Sequence, residues 1–389
     1  MEEFGRVIEF RVPRTWVGIH AADQVGSIAR ELGGRRILIL TDMGIIHAGL
    51  LDVLTDSIKK EGLPVEVFSE CLPNVPLSSI QQCYHLVEKE GFDLLIGLGG
   101  GSVMDMVKLV GMLRGSSGNV NVLFEPDRVK PSGLQKILLP TTAGTGSEWS
   151  NVAVFTNESD ERKIPIRNDY LWAEAAVIDP LLSLNLPPRV TAETGMDALS
   201  HAIEAYTSWK ASTIGDMLAE KAIRLISENL RIAYAKGSKH IQARYHMAVA
   251  AGLATLALRS SASYIVHSFS YPLCMKARLS HGAACSLMLP VVMEFNLIGN
   301  LDKFARVAWL MGERLEGLPL REQAQKAVEA VRRLSSDLKL KQTLGEAKID
   351  ETHIPWIVDY VFRFHSYQVE NNPRDLNRED VEQILHAAR

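Results

Sequence analysis

Cysteine is scarce: the 389 residues hold four, at positions 71, 83, 274 and 285, with no CxxC spacing. A chain this long can bury a core without disulfide staples, so reduced thiols in a cytoplasmic setting are the expectation. A strong charge of one sign is also missing. The formal net charge of −4 offers no electrostatic reason to expect a nucleic-acid or acidic-membrane partner. No apolar run reaches the roughly 20 residues that span a bilayer. The longest, Tyr245 to Leu258, is closed by Arg244 and Arg259, contains His246, and reads as a buried helix. The opening MEEFGRVIEF has neither the basic region nor the apolar region of a secretory leader. With 47% apolar and 23% charged residues, the composition is that of a globular protein dealing with small molecules.

The length exceeds what one core usually organises, which predicts two domains. In the first half, short β-branched runs alternate with amphipathic stretches. RILILTD (36–42), FDLLIGL (92–98) and KILLPTT (136–142) read as buried strands, and LSSIQQCYHLVEKEG places Ile80, Cys83, Tyr84 and Val87 at helical spacing. Strands separated by helices predict βαβ units and a mostly parallel sheet. After Asp179-Pro180 the texture changes, and LLSLNLPPRVTAETG with its Pro187-Pro188 pair marks a boundary. Helical patterns follow; IGDMLAEKAIRLISENL, for one, sets Met217, Leu218, Ala222, Leu225 and Ile226 on one face. The expectation is an α/β N-terminal domain with a parallel sheet over 1–185, then an all-α C-terminal domain over 186–389.

Two glycine-rich segments come straight off strands. Gly97-Leu-Gly-Gly-Gly-Ser-Val-Met-Asp105 opens a helix, and a helix N-terminus with unpaired N–H groups is an anion cradle. Glycines 99 to 101 permit a tight turn and close approach of a diphosphate; a close-packed turn without ligand is the alternative. Pro140-Thr-Thr-Ala-Gly-Thr-Gly-Ser-Glu148 carries the hydroxyls of Thr141, Thr142, Thr145 and Ser147, which suit a nucleotide or nicotinamide pocket or a solvated loop. Loops of this kind on neighbouring strands are where open α/β sheets bind nucleotides. Asp42, at the end of RILILTD, can accept ribose hydroxyls and repel the extra phosphate of NADP, or simply cap the next helix. The expectation is NAD in preference to NADP.

Asp197 and His201, at i and i+4 in GMDALSHAIEAY, stack on one helix face. Alone such a pair is more often a local hydrogen bond. His267 in YIVH and His281 in LSHG sit in apolar surroundings, where an unpartnered imidazole is costly. One carboxylate and three neutral imidazoles suit one divalent cation, Fe(II), Zn(II) or a neighbouring first-row ion. The remaining histidines, among them His246 and His365, read as surface or core residues.

GGGSVMDMVK, PTTAGTGSE, IDPLLSLNLPPRVTAETGMDALSHAIEAY, HGAACSLMLPVVMEFN and NNPRDLNREDVEQIL together resemble the iron-dependent (group III) alcohol dehydrogenases, in order over essentially the whole chain. That resemblance implies a dehydroquinate synthase-like fold, an α/β N-terminal Rossmann-like domain with a parallel sheet followed by an all-α C-terminal domain, with NAD(P) in the cleft between the two, and a homodimer or larger homo-oligomer. It puts the metal, Fe(II) first and Zn(II) second, on Asp197, His201, His267 and His281. It puts the diphosphate on Gly99, Gly100, Gly101 and Ser102, with Asp105 and Lys108 in the same helix. It turns Thr141, Thr142, Thr145 and Ser147 toward the cofactor, adds Asn74 and Lys163 as further cofactor contacts, and makes Asp42 the NAD-selecting carboxylate.

The chain departs from the family pattern around the ligands. Tyr271 stands where many members have a histidine, Cys274-Met275 replace a glycine pair, and Ser280 and Cys285 flank the last ligand. Tyr264 and Trp149 occupy normally small positions. The implied activity is NAD(H)-linked, metal-dependent interconversion of a short alcohol and its aldehyde, with Tyr271 the candidate for the proton relay. Lys276, Arg278 and Arg259 would suit a substrate with an acidic tail if they faced the pocket. A hydroxyacid–oxoacid transhydrogenase or maleylacetate-reductase-like enzyme is the alternative on the same fold. A dehydroquinate-synthase-like lyase and a non-catalytic nucleotide-binding module with a structural metal rank behind.

Overall fold

A computed structural model of the chain describes residues 9–114, 119–128, 133–160 and 162–389. The chain divides into two compact units, one formed by Arg11–Leu186 and the other taking up the chain from Pro187 to Arg389.

In the first unit the described residues form β1 (Arg14–Val17), β2 (Ile37–Leu40), β3 (Val65–Phe68), β4 (Leu94–Gly99), β5 (Gln135–Pro140), β6 (Val152–Asn157), β7 (Arg162–Arg167) and β8 (Ala175–Ile178). Six of these make one sheet in the order β1-β8-β5-β4-β2-β3, with every neighbouring pair parallel. The expected strands are β2, β4 and β5; the antiparallel β6–β7 pair carries little apolar alternation and is not legible in the sequence.

Helices of this unit are α1 (Val25–Glu31), α2 (Met43–His47), α3 (Leu51–Lys60), α4 (Leu77–Glu90) and α5 (Gly101–Met112). The central strands are continuous apolar runs because both faces are covered. Leu38, Leu95 and Leu138 pack with Ile80 of α4 and Val107 of α5 on one side. Ile39, Ile96 and Ile137 pack with Ile28 of α1 and Ile58 of α3 on the other. The helix after β2 therefore crosses one face and the helix after β4 the opposite face. Adjacent strands whose connections part in this way leave a crevice at their carboxyl ends, the topological switch point of a doubly wound sheet. Thr41-Asp42 and Gly99–Ser102 lie there.

The second unit is helical, with no strand among the described residues: α6 (Pro188–Thr207), α7 (Thr213–Lys236), α8 (Ile241–Ser260), α9 (Ile265–Ala277), α10 (His281–Asn296), α11 (Leu301–Leu310), α12 (Leu320–Asp337), α13 (Ile354–Phe364), α14 (Ser366–Val369) and α15 (Arg378–Ala387). Pro188 begins α6, where its missing N–H would be unsatisfied anyway. The small residues of α6 let neighbours approach closely; a Cβ on Gly195 would meet Leu230 Cδ1 of α7 at 2.3 Å. The buried stripe of α7 runs through Ala219, Ala222, Ile223, Ile226 and Leu230 and leaves Met217 66% exposed. Ala222, Leu225 and Ile226 are buried as the spacing predicts, and the expectation is corrected at Met217, which lies at the edge of the stripe where tertiary packing decides exposure.

Candidate metal centre and dinucleotide loops

Three helices supply the histidine–aspartate cluster. Asp197 and His201 lie one turn apart on α6, His267 is in the first turn of α9, and His281 is the first residue of α10. One ligand atom from each lies within 4.8 Å of all the others. The His281 Nε2 to Asp197 Oδ1 distance is 3.5 Å and that from His201 Nε2 is 4.0 Å. Four donors each about 2.1 Å from one cation stand about 3.4 Å apart, so the spacing suits a shared ion. The rings of His201 and His267 stack at 4.7 Å, and His267 and His281 are 5.3 Å apart.

Two atoms in this cluster, Asp197 Oδ1 and His267 Nε2, are buried with no hydrogen-bond partner in the protein. Such orphans are rare in a folded chain and call for an explanation such as an ion. Electrostatics agree. Burial works against the Asp197 carboxylate, yet the imidazoles of His201, His281 and His267 outweigh it and hold its pKa below the ordinary value. Burial likewise opposes charge on His267, and the Glu204 carboxylate overcomes it and raises the pKa. The buried carboxylate and the two orphaned donor atoms are the features that fit a divalent cation.

Glu204 was not singled out in the sequence. It is fully buried on α6, its Oε2 bonded to His267 Nδ1 and its Oε1 accepting from the backbone N–H groups of Tyr264 at 3.2 Å and Val266 at 3.0 Å. The available signal was a carboxylate seven residues after Asp197 and three after His201, within the apolar stretch Ala202-Ile203-Glu204-Ala205. A second carboxylate, Glu193, accepts from Ser280 Oγ at 2.8 Å and pairs with Arg189 at 2.7 Å. Ser280 also caps α10, accepting from Ala283 N, so one hydroxyl both starts α10 and ties it to α6.

Around the cluster, Cys285 Sγ lies 3.9 Å from His281 Nε2, and burial pushes its thiol pKa well up. Tyr271 is 5.9 Å ring to ring from His281 and stacks on His365 at 4.4 Å with nearly parallel planes. Burial raises the Tyr271 pKa well above the phenolic value and lowers that of His365 to about 4. Tyr264 is fully buried and shares a hydrogen bond of 2.9 Å with Thr207. With Cys274 and Met275 in place of glycines, α9 continues unbroken to Ala277 and turns at Arg278. Lys276 sits over the Trp356 ring at 4.4 Å, and both Lys276 and Arg278 are exposed. His246 pairs with Asn229 at 3.1 Å.

In the α/β unit, Gly100 caps α5. A Cβ on Gly99 would collide with Val103 at 2.5 Å, and one on Gly101 with Thr145 at 2.8 Å, so both glycines are needed for close packing. The first turn of α5 leaves its backbone N–H groups for an anion. Ser102 Oγ accepts from Asn74 N at 3.2 Å, and Asn74, with φ 64°, is exposed. Asp42 caps α2, its Oδ1 accepting from Ile45 N at 3.1 Å. Thr141 is buried, while Thr142 and Thr145 are half-buried and Lys163 is half-buried on β7.

Asp105 and Ser147 face each other. Ser147 donates to Asp105 Oδ1 at 2.7 Å and accepts from the fully buried Lys108 at 2.5 Å, while Asp105 Oδ2 accepts from Val154 N at 3.0 Å. These polar atoms brace the two glycine loops. Trp149 donates its indole N–H to Thr15 at 3.0 Å. Glu148 is 2% exposed with an unpartnered Oε2, and burial raises its pKa to about 7.

A parallel α/β unit with paired glycine loops, together with a helical unit bearing a three-histidine, one-aspartate cluster, defines the architectural class. Comparison with known proteins gives the family. The model for iron-containing alcohol dehydrogenase matches residues 13–180, and that for the C-terminal part of the Fe-containing alcohol dehydrogenase family matches residues 191–389. Long-chain-alcohol dehydrogenase 1 of Geobacillus thermodenitrificans is 36% identical, covering 97% of this chain and 95% of its own. NAD-dependent methanol dehydrogenase of Bacillus methanolicus is 32% identical over 97% of this chain and 99% of its own. The crystal structure of a 1,3-propanediol oxidoreductase superposes with a TM-score of 0.93 at 33% identity, covering 99% of this chain and 100% of that one. The chain belongs to the iron-containing alcohol dehydrogenase family. Membership sets aside the lyase and the non-catalytic module.

Proposed function

We propose that this protein is an NAD(H)-linked, metal-dependent alcohol dehydrogenase or aldehyde reductase acting on CH–OH groups. The observation that carries the reading is the buried quartet of Asp197, His201, His267 and His281, two of whose donor atoms have no partner in the protein. These residues would hold one divalent cation, Fe(II) or Zn(II). Three neutral imidazoles and one carboxylate leave the centre net positive, suited to an oxygen that gains negative charge during reaction. Bound at their sites, the cation supplies Lewis-acid polarisation of the substrate oxygen and the nicotinamide supplies the hydride chemistry.

The protein's own part is binding and orientation. Backbone N–H groups at the start of α5, with the Gly99–Gly101 turn, suit a diphosphate, and Asp42 suits ribose hydroxyls. Thr141, Thr142 and Thr145 and the Asn74 and Lys163 positions complete the proposed cofactor contacts, with Asp105 and Ser147 holding the loops in place. Tyr271 keeps its proton at neutral pH, because burial raises its pKa. It therefore enters the proposed relay as a hydrogen-bond donor.

The names of the relatives span long-chain alcohols, methanol and 1,3-propanediol, so the family leaves the substrate's tail open. The exposed positions of Lys276 and Arg278 give little support to an acidic tail. The test is NADH oxidation by the metal-loaded protein over a panel of short aldehydes with neutral and anionic tails. Turnover that disappears on chelation and returns with metal is the expected result, and metal-independent turnover defeats the reading. A cytoplasmic homodimer is part of the same proposal. The low cysteine count and the lack of CxxC spacing in a chain of this length are what favour a reducing compartment, and light scattering tests the dimer.

A further inference from the structure

We propose that Glu204 is a positioning residue that fixes His267 in the one tautomer able to bind the metal, and thereby sets metal affinity. This inference rests on the metal-dependent reading above. An imidazole ring offers a lone pair on one nitrogen only when the proton sits on the other. His267 offers one ring nitrogen to the donor cluster; Nδ1 meets Glu204 Oε2, which leaves Nε2, without a hydrogen-bond partner in the protein, as the nitrogen for the metal. A carboxylate only accepts, so Nδ1 must carry the proton, and in the neutral ring that binds a metal the lone pair is then on Nε2.

Glu204 cannot easily turn away. Its other oxygen is held by the N–H groups of Tyr264 and Val266 at the start of α9, and the side chain is fully buried. Those bonds also attach the first turn of α9 to α6, which carries Asp197 and His201. One carboxylate thus sets both where His267 stands and which nitrogen it offers. Outer partners of this kind typically change metal affinity by roughly 10–100-fold.

The substitution Glu204→Gln separates these roles. Its carbonyl oxygen can still accept from the two backbone N–H groups, leaving the amide NH2 to face His267 Nδ1. The amide donates, so Nδ1 must accept and the proton moves to Nε2, where it blocks the metal. The experiment titrates the full-length, metal-stripped protein with Zn(II) against a competing chelator, for wild type and E204Q, with circular dichroism to check folding. Affinity lowered by roughly 10–100-fold in folded E204Q is expected. Equal affinity in wild type and folded E204Q overturns the proposal alone, whereas a wild type that binds no Zn(II) overturns the metal-dependent reading with it.

Should E204Q fail to fold, 15N-histidine NMR of the Zn(II)-loaded wild type decides, with His267 assigned by its loss in a His267 variant. A proton on Nδ1 and metal on Nε2 supports the proposal; the reverse arrangement overturns it.

Discussion

Gly282 lets the first turn of α10 lie against the backbone of Glu193 in α6. A Cβ at position 282 would stand 2.0 Å from the Glu193 carbonyl oxygen and 3.2 Å from Asp197 Cβ. This close approach brings His281, the residue before, alongside Asp197. Gly282→Ala must push the two helices apart, an overpacking that costs about 1–3 kcal/mol. Thermal melts with and without metal check this: both the melting temperature and its metal-induced rise should fall. A variant with wild-type values for both would show that the contact is dispensable.

Asp42 has two uses that one substitution can part. Asparagine caps helices about as well as aspartate, so Asp42→Asn should keep the Ile45 N–H bond and leave stability within about 0.5 kcal/mol. Removing the charge should lower the ratio of kcat/KM for NAD to that for NADP about tenfold, or ~1.4 kcal/mol. Steady-state kinetics with both cofactors give the ratio; an unchanged value would leave the carboxylate as a cap only.

For Tyr271, the hydroxyl is separable from the ring. Phenylalanine preserves the stack on His365, so Tyr271→Phe should fold normally. Groups that move protons in a transition state typically contribute ~10²–10⁴-fold, and a fall in kcat of at least about tenfold, with an altered pH profile, is expected. If kcat and its pH dependence stay as in wild type, Tyr271 is a wall of the site and no more.

Glu148 predicts a pH-dependent stability. Burial raises its folded pKa from 4.5 to about 7, so the fold prefers the protonated form. Its contribution is full below about pH 4.5 and is lost as pH rises through 7, a change of about 3 kcal/mol. Glu148→Gln should flatten this part of the profile and make the variant more stable than wild type at pH 8. Urea midpoints from pH 4 to 8 measure it, and parallel profiles for the two proteins would contradict it.

Legibility in the sequence followed physical range. Both-face burial makes β2, β4 and β5 uninterrupted apolar runs, and Pro187-Pro188 interrupts the chain where α6 begins, so architecture could be read locally. Asp197 and His201 announced themselves as neighbours because helical spacing is local too. Their meeting with His267 and His281 depends on how α6, α9 and α10 pack, which no spacing states and only the resemblance supplied. Glu204 stayed hidden for the same reason, since its partners are 60 to 63 positions away in sequence. Met217 departs from the expected face, being exposed at the edge of the stripe, because an apolar residue there does not say on which side the core lies.

The most direct measurement is the metal content per chain of protein purified without oxygen, for wild type and for His267→Ala shown to be folded. About one divalent ion per wild-type chain, Fe(II) or Zn(II), falling to a small fraction in the variant, is the predicted result. Equal metal content in the two, or none in the wild type, would contradict a metal centre built on Asp197, His201, His267 and His281.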